Sequence, residues 1–88
     1  MDEMRVLMVE DDDNDEALIR RELGRLTPAP QVRRVTSEAA FVDALSTFTP
    51  HVILCDHNLP AFGGRAALDV AQRLAPETPF ILVTGSLD

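Results

Sequence analysis

Short apolar runs alternate along the chain with longer stretches whose apolar positions recur every three or four residues. Arg5 to Val9 has the first strand pattern, and the acids Glu10 to Asp13 close it at once. From Asn14, Leu18, Ile19, Leu23 and Leu26 follow helical spacing, with Arg20, Arg21, Glu22 and Arg25 filling much of the rest. Asp13 is placed to cap that helix, with Glu16 three positions on, and Pro28 and Pro30 end it. Val32 to Val35 is a weaker strand interrupted by Arg33 and Arg34, charges that suit a sheet edge.

Thr36 or Ser37 then caps a second helix with Phe41, Ala44, Leu45 and Phe48 on its apolar face, and Pro50 stops it. Val52 to Cys55 is a run too short for a helix and rich in β-branched side chains, so it reads as a strand buried on both faces; it delivers Asp56 to the rim of a sheet. The turn-forming stretch His57, Asn58, Pro60, Gly63 and Gly64 follows. A third helix, Arg65 to Leu74, is built around Ala67, Leu68, Ala71 and Leu74, and Pro76 and Pro79 lead into a fourth strand, Phe80 to Val83.

The order β-α-β-α-β-α-β with short connections predicts an α/β fold, a doubly wound parallel sheet with right-handed crossovers. In the flavodoxin-like strand order 2-1-3-4-5, ligands bind beyond the carboxyl ends of strands 1 and 3, where the winding reverses. Those two ends carry Glu10, Asp11 and Asp56. Neighbouring strands lie about 4.8 Å apart. Two carboxylates roughly 5 Å apart repel by on the order of 3 kcal/mol at an effective dielectric near 20, so a positive charge has to offset them. Hard oxygen ligands with room for water and phosphate oxygens suit Mg²⁺. A carboxylate in such a site can also attack phosphorus, and Asp56, fixed by its strand, is the candidate. Thr84 at the end of the fourth strand offers a hydroxyl, with Gly85 beside it. Each residue alone has a plainer reading: strand-closing acids serve most often in turns, and Asp12 and Asp13 read as helix-capping or solvated. Their shared rim is what points to a site.

Composition narrows the field further. With 88 residues there is room for one domain, 1–88, with a modest core. No apolar run approaches the roughly 18 residues of a spanning helix, and the acidic start Met-Asp-Glu-Met-Arg is unlike a secretory signal. The formal charge of −7 argues against direct grip on nucleic acid or an anionic membrane. The single cysteine, Cys55, fits a reducing cytosol, and its place inside an apolar strand reads as core. His51 and His57 read as exposed loop residues without an orienting partner.

Three motifs in order, Val-Leu-Met-Val-Glu10-Asp11-Asp12, Val-Ile-Leu-Cys-Asp56-His-Asn58-Leu-Pro60 and Phe-Ile-Leu-Val-Thr84-Gly85, resemble the receiver domain of two-component response regulators over the whole chain. That resemblance implies phosphorylation of Asp56 by a histidine kinase or phosphotransfer protein. It also implies Mg²⁺ held by Glu10, Asp11, Asp56 and the backbone carbonyl of Asn58, and a switching hydrogen bond from Thr84. It implies a cytoplasmic signalling module that accepts phosphate without being a turnover enzyme, with a possible output domain or partner protein. Gly63 stands where the family usually has an acid, and Gly64 matches its glycine.

The family also has a fifth strand, preceded in its fold by a further helix and followed by another, and a lysine that contacts the phosphoryl group. All eight basic residues here are arginine, and the chain stops about 30 residues short of a full receiver. Three explanations stay open: a shortened chain, part of a longer protein, or an assembly in which another chain covers the gap. Phosphorylation of these residues alone is expected to be weak, and the fourth strand is expected to be an apolar edge able to pair in a homodimer. Hydrolase and flavin-binding readings fare worse. An aspartyl-nucleophile hydrolase needs an acid where Asn58 stands, and flavin phosphate would meet carboxylates after the first strand.

Overall fold

The structure, a computed structural model, describes residues 3–56 and 63–83. Strands β1 (Arg5–Val9), β2 (Gln31–Val35), β3 (Val52–Asp56) and β4 (Phe80–Val83) alternate with helices α1 (Asp13–Leu23), α2 (Glu38–Thr47) and α3 (Gly64–Leu74). All pairings are parallel and the order is β2-β1-β3-β4, which is the predicted α/β winding. β2 and β4 are the edges of this sheet, as Arg33 and Arg34 lead one to expect of β2.

Directly paired residues of a parallel sheet point to the same side, so register sorts the side chains into two faces. Leu7, Val9, Ile53 and Cys55 form one face and are fully buried beneath Phe41, Ala44, Leu45 and Phe48 of the α2 segment and Ala67, Val70 and Ala71 of α3. Val6 and Met8 point to the other face and are buried too, whereas Val52 and Leu54 beside them are only partly covered. The strand buried on both faces is therefore β1 rather than β3. β1 lies between two strands, while β3 borders a strand, β4, whose Ile81 and Leu82 are each 48% exposed.

Two helix faces differ from the expected pattern. In α3, Val70 is buried, whereas Leu74 is exposed although it shares the face of Ala67, Val70 and Ala71, because it is the last residue of the helix, where that face runs out past the core. In α1 no residue is buried: Leu18 is half exposed and Ile19 and Leu23 are intermediate, while Leu26, expected on the same face, lies beyond the end of the helix and is half exposed. The cap of α1 is Asp12, one residue earlier than expected. Its Oδ1 accepts a hydrogen bond from the Asp15 backbone N–H at 2.9 Å, while Glu16 pairs with Arg20.

Ser37 caps α2, accepting from the Ala40 backbone N–H at 3.2 Å. Ser37→Ala is expected to lower unfolding free energy by about 1 kcal/mol in urea melts. A loss too small to measure would mean that water satisfies Ala40 equally well.

Candidate acidic site at the sheet rim

The register Val9↔Cys55 places the next residues of both strands, Glu10 and Asp56, side by side at the carboxyl rim. Asp11 joins them, and one carboxylate oxygen from each of the three lies within 4.8 Å of the others. The three acids thus meet where the winding reverses. Asn58 and Thr84, the other expected site residues, lie outside the described residues, as do His57 and Gly85; Val83, which precedes Thr84, pairs with Asp56.

Burial is what gives this cluster its character. Glu10 is only 2% exposed and Asp56 8%, whereas Asp11 is exposed. Removal from water pushes the Glu10 carboxyl up to about 7, and the charge of Asp56 and a hydrogen bond with its side chain add to the rise. The Asp12 backbone N–H, donating to Glu10 Oε2 at 3.2 Å, works the other way. A buried glutamate beside a second buried acid holds a proton near neutrality unless a cation takes its place. Among the described residues the cluster consists of three carboxylates, a donor set that fits a hard divalent ion such as Mg²⁺ with room for water and phosphate oxygens.

Other features keep clear of this chemistry. Cys55 is fully buried, and burial first, then the charges of Asp56 and Glu10, push its thiol up to about 12, so it stays protonated as a core residue. His51 is exposed as expected but has a partner: its Nδ1 accepts from the Arg5 backbone N–H at 2.8 Å. That contact is at the opposite end of β1 from Glu10, roughly 15 Å along the strand.

Arg34 is the residue near the site whose part the sequence reading missed. Its Nε donates to the Glu10 backbone carbonyl at 2.7 Å, and its Nη1 lies 2.8 Å from Asp13 Oδ1. An arginine in a strand adjoining the one that ends in acids was the available signal. Its neighbour Arg33 points the other way and lies over the Phe48 ring at 4.8 Å.

Sheet order and an acid-lined reversal point define an α/β protein of the flavodoxin-like kind. Residues 6–88 match the response regulator receiver domain, and the chain belongs to that family. No curated protein matches the sequence. Among solved structures, the chain is similar to a response regulator from Hahella chejuensis, with 29% identity and a TM-score of 0.81 over 97% of this chain and 66% of that one. It is similar in fold to the phosphorylated cyanobacterial phytochrome response regulator RcpA, with 24% identity and a TM-score of 0.79 over 99% and 69%. The same holds for the MaeR response regulator bound to beryllium trifluoride, with 21% identity and a TM-score of 0.82 over 97% and 70%. The chain therefore spans about two thirds of the length of these structures. Among the described residues no helix is long and apolar enough to cross a membrane.

Proposed function

We propose that residues 1–88 act as a phosphoacceptor module of a two-component phosphorelay, taking a phosphoryl group onto Asp56 from a histidine kinase or phosphotransfer protein. The observation that carries this reading is the convergence of Glu10, Asp11 and Asp56 within 4.8 Å at the rim of a receiver fold. A carboxylate oxygen of Asp56 attacks phosphorus, the bond from phosphorus to the donor's imidazole nitrogen breaks, and that nitrogen leaves with the electron pair. The product is an acyl phosphate on Asp56, so the chain accepts a group and is not a turnover enzyme.

Glu10, Asp11, Asp56 and the Asn58 carbonyl are the proposed Mg²⁺ ligands. Bound there, the ion would offset the charge that develops on the phosphoryl oxygens. The chain contributes rigidity, because Asp56 is fixed by β3 and Glu10 follows the strand buried on both faces. Thr84, next in sequence to the residue paired with Asp56, is the proposed donor to a phosphoryl oxygen and the start of the switch.

The test is a titration of the 88-residue chain with beryllofluoride and Mg²⁺, followed by amide NMR. Saturable shifts at residues 10, 11 and 56 that need both components are expected. Shifts confined to the far end of the sheet would sink the assignment. A beryllofluoride-bound relative makes this probe chemically apt.

A second reading is favoured by one observation, the β4 edge with Ile81 and Leu82 each 48% exposed. A four-residue apolar edge strand can pair with a second copy, and the module would then work as an interaction surface. Light scattering is expected to show mass rising with concentration. A constant monomer mass over a hundred-fold range would exclude it.

A further inference from the structure

We infer that Arg34 is a positioning residue for the cation site, a brace that ties the acidic loop after β1 to the neighbouring strand; this rests on the proposed reading of Glu10, Asp11 and Asp56. The loop needs such a brace. Asp56 is the last residue of a strand, but Glu10 and Asp11 come after β1 has ended and before α1 begins. A helix packed firmly on the sheet could hold them, yet α1 has no buried residue. What fixes the loop is therefore local, and Arg34 supplies much of it.

One guanidinium makes both contacts. Its Nε donates to the Glu10 carbonyl at 2.7 Å, and its Nη1 reaches Asp13 Oδ1 at 2.8 Å, so it spans the loop from its first residue to the first residue of α1. The Glu10 N–H, donating to the Val35 carbonyl at 3.2 Å, anchors the same residue to the same strand. Arginine's planar fork suits two partners at fixed spacing, where lysine presents one compact charge. The side chain is 25% exposed against 90% for Asp13, so the bond to the Glu10 carbonyl is the better shielded of the two.

The brace acts on geometry. Arg34 bonds the backbone of Glu10, while the Glu10 carboxylate receives the Asp12 N–H and faces Asp56. Freeing the loop would let Glu10 and Asp11 drift from Asp56, and a small cation with strict coordination distances tolerates that poorly.

The test measures cation affinity directly, by the loss of the free Mn²⁺ signal in electron paramagnetic resonance. Arg34→Met, which keeps the stem and removes every donor, is expected to weaken Mn²⁺ binding about ten-fold. Arg33→Met, which loses its place over Phe48 on the same edge strand, is expected to bind as the unaltered chain does, so a general weakening of β2 is told apart from loss of the brace. Arg34→Lys is expected to recover part of the affinity; should Arg34→Met fail to fold by circular dichroism, Arg34→Lys decides instead, with a loss of about three-fold expected. Affinity within two-fold of the unaltered chain in the folded Arg34 variant overturns the brace and leaves the site standing. Absence of Mn²⁺ binding by the unaltered chain overturns the site reading and the brace together.

Discussion

Asp56→Ala is expected to abolish beryllofluoride capture and phosphoryl transfer from a small phosphodonor, and to weaken divalent-cation binding about ten-fold or more. Two effects combine. On the proposed reading the nucleophilic oxygen is gone, and one of the three converging carboxylates is lost from the candidate cation site. Asp56→Asn keeps the shape and removes the charge, so it should fail in the same assays while the fold is retained. Mass spectrometry of the chain treated with acetyl phosphate and Mg²⁺ reads the outcome. If Asp56→Ala gains a phosphoryl group as readily as the unaltered chain, the acceptor is another side chain.

The second large effect concerns pH in the absence of divalent cations. The Glu10 carboxyl is raised from 4.5 to about 7 in the folded chain, first by burial and then by Asp56. Between those values the folded state holds a proton that the unfolded state has released, so stability falls as pH rises. The Glu10 contribution is complete below pH 4.5 and lost as pH passes through about 7. Its size is at most about 3 kcal/mol. Urea melts in EDTA at pH 5 and pH 8, compared with Glu10→Gln, isolate it from the other acids. The glutamine variant should show a flatter profile and greater stability at pH 8. Millimolar Mg²⁺ should restore the unaltered chain at pH 8 and do little for the variant. Parallel pH profiles for the two proteins would rule the account out.

Much of the fold was legible because strand and helix periods alternate cleanly and the breaks fall on Pro28, Pro30, Pro50, Pro76 and Pro79. The acids at the ends of β1 and β3 were legible for the same reason, since strand ends in a parallel sheet share a rim. Burial was harder to read. Val52 to Cys55 looks as apolar as Val6 to Val9, and only the sheet order shows that β1 has well-covered faces while β3 borders an exposed edge strand. Leu74 and Val70 sit four residues apart on α3, and the choice between them depends on where the helix ends over the core. The cap is Asp12 rather than Asp13 because Asp12 keeps an extended backbone and its side chain accepts the Asp15 N–H, a choice that a run of acids hides from the sequence. Arg34 could be read as an edge charge, but its two partners, the loop residue Glu10 and the first residue of α1, Asp13, lie 24 and 21 residues away in sequence and are brought near only by register.

The two borders of the sheet are chemically unlike. β2 carries Arg33 and Arg34, both engaged with neighbours, whereas β4 presents half-exposed Ile81 and Leu82. Charged side chains along an edge resist the addition of a further strand, whereas an apolar edge accepts one, so among the described strands β4 is the border suited to receiving a strand from elsewhere and β2 is the border that turns one away.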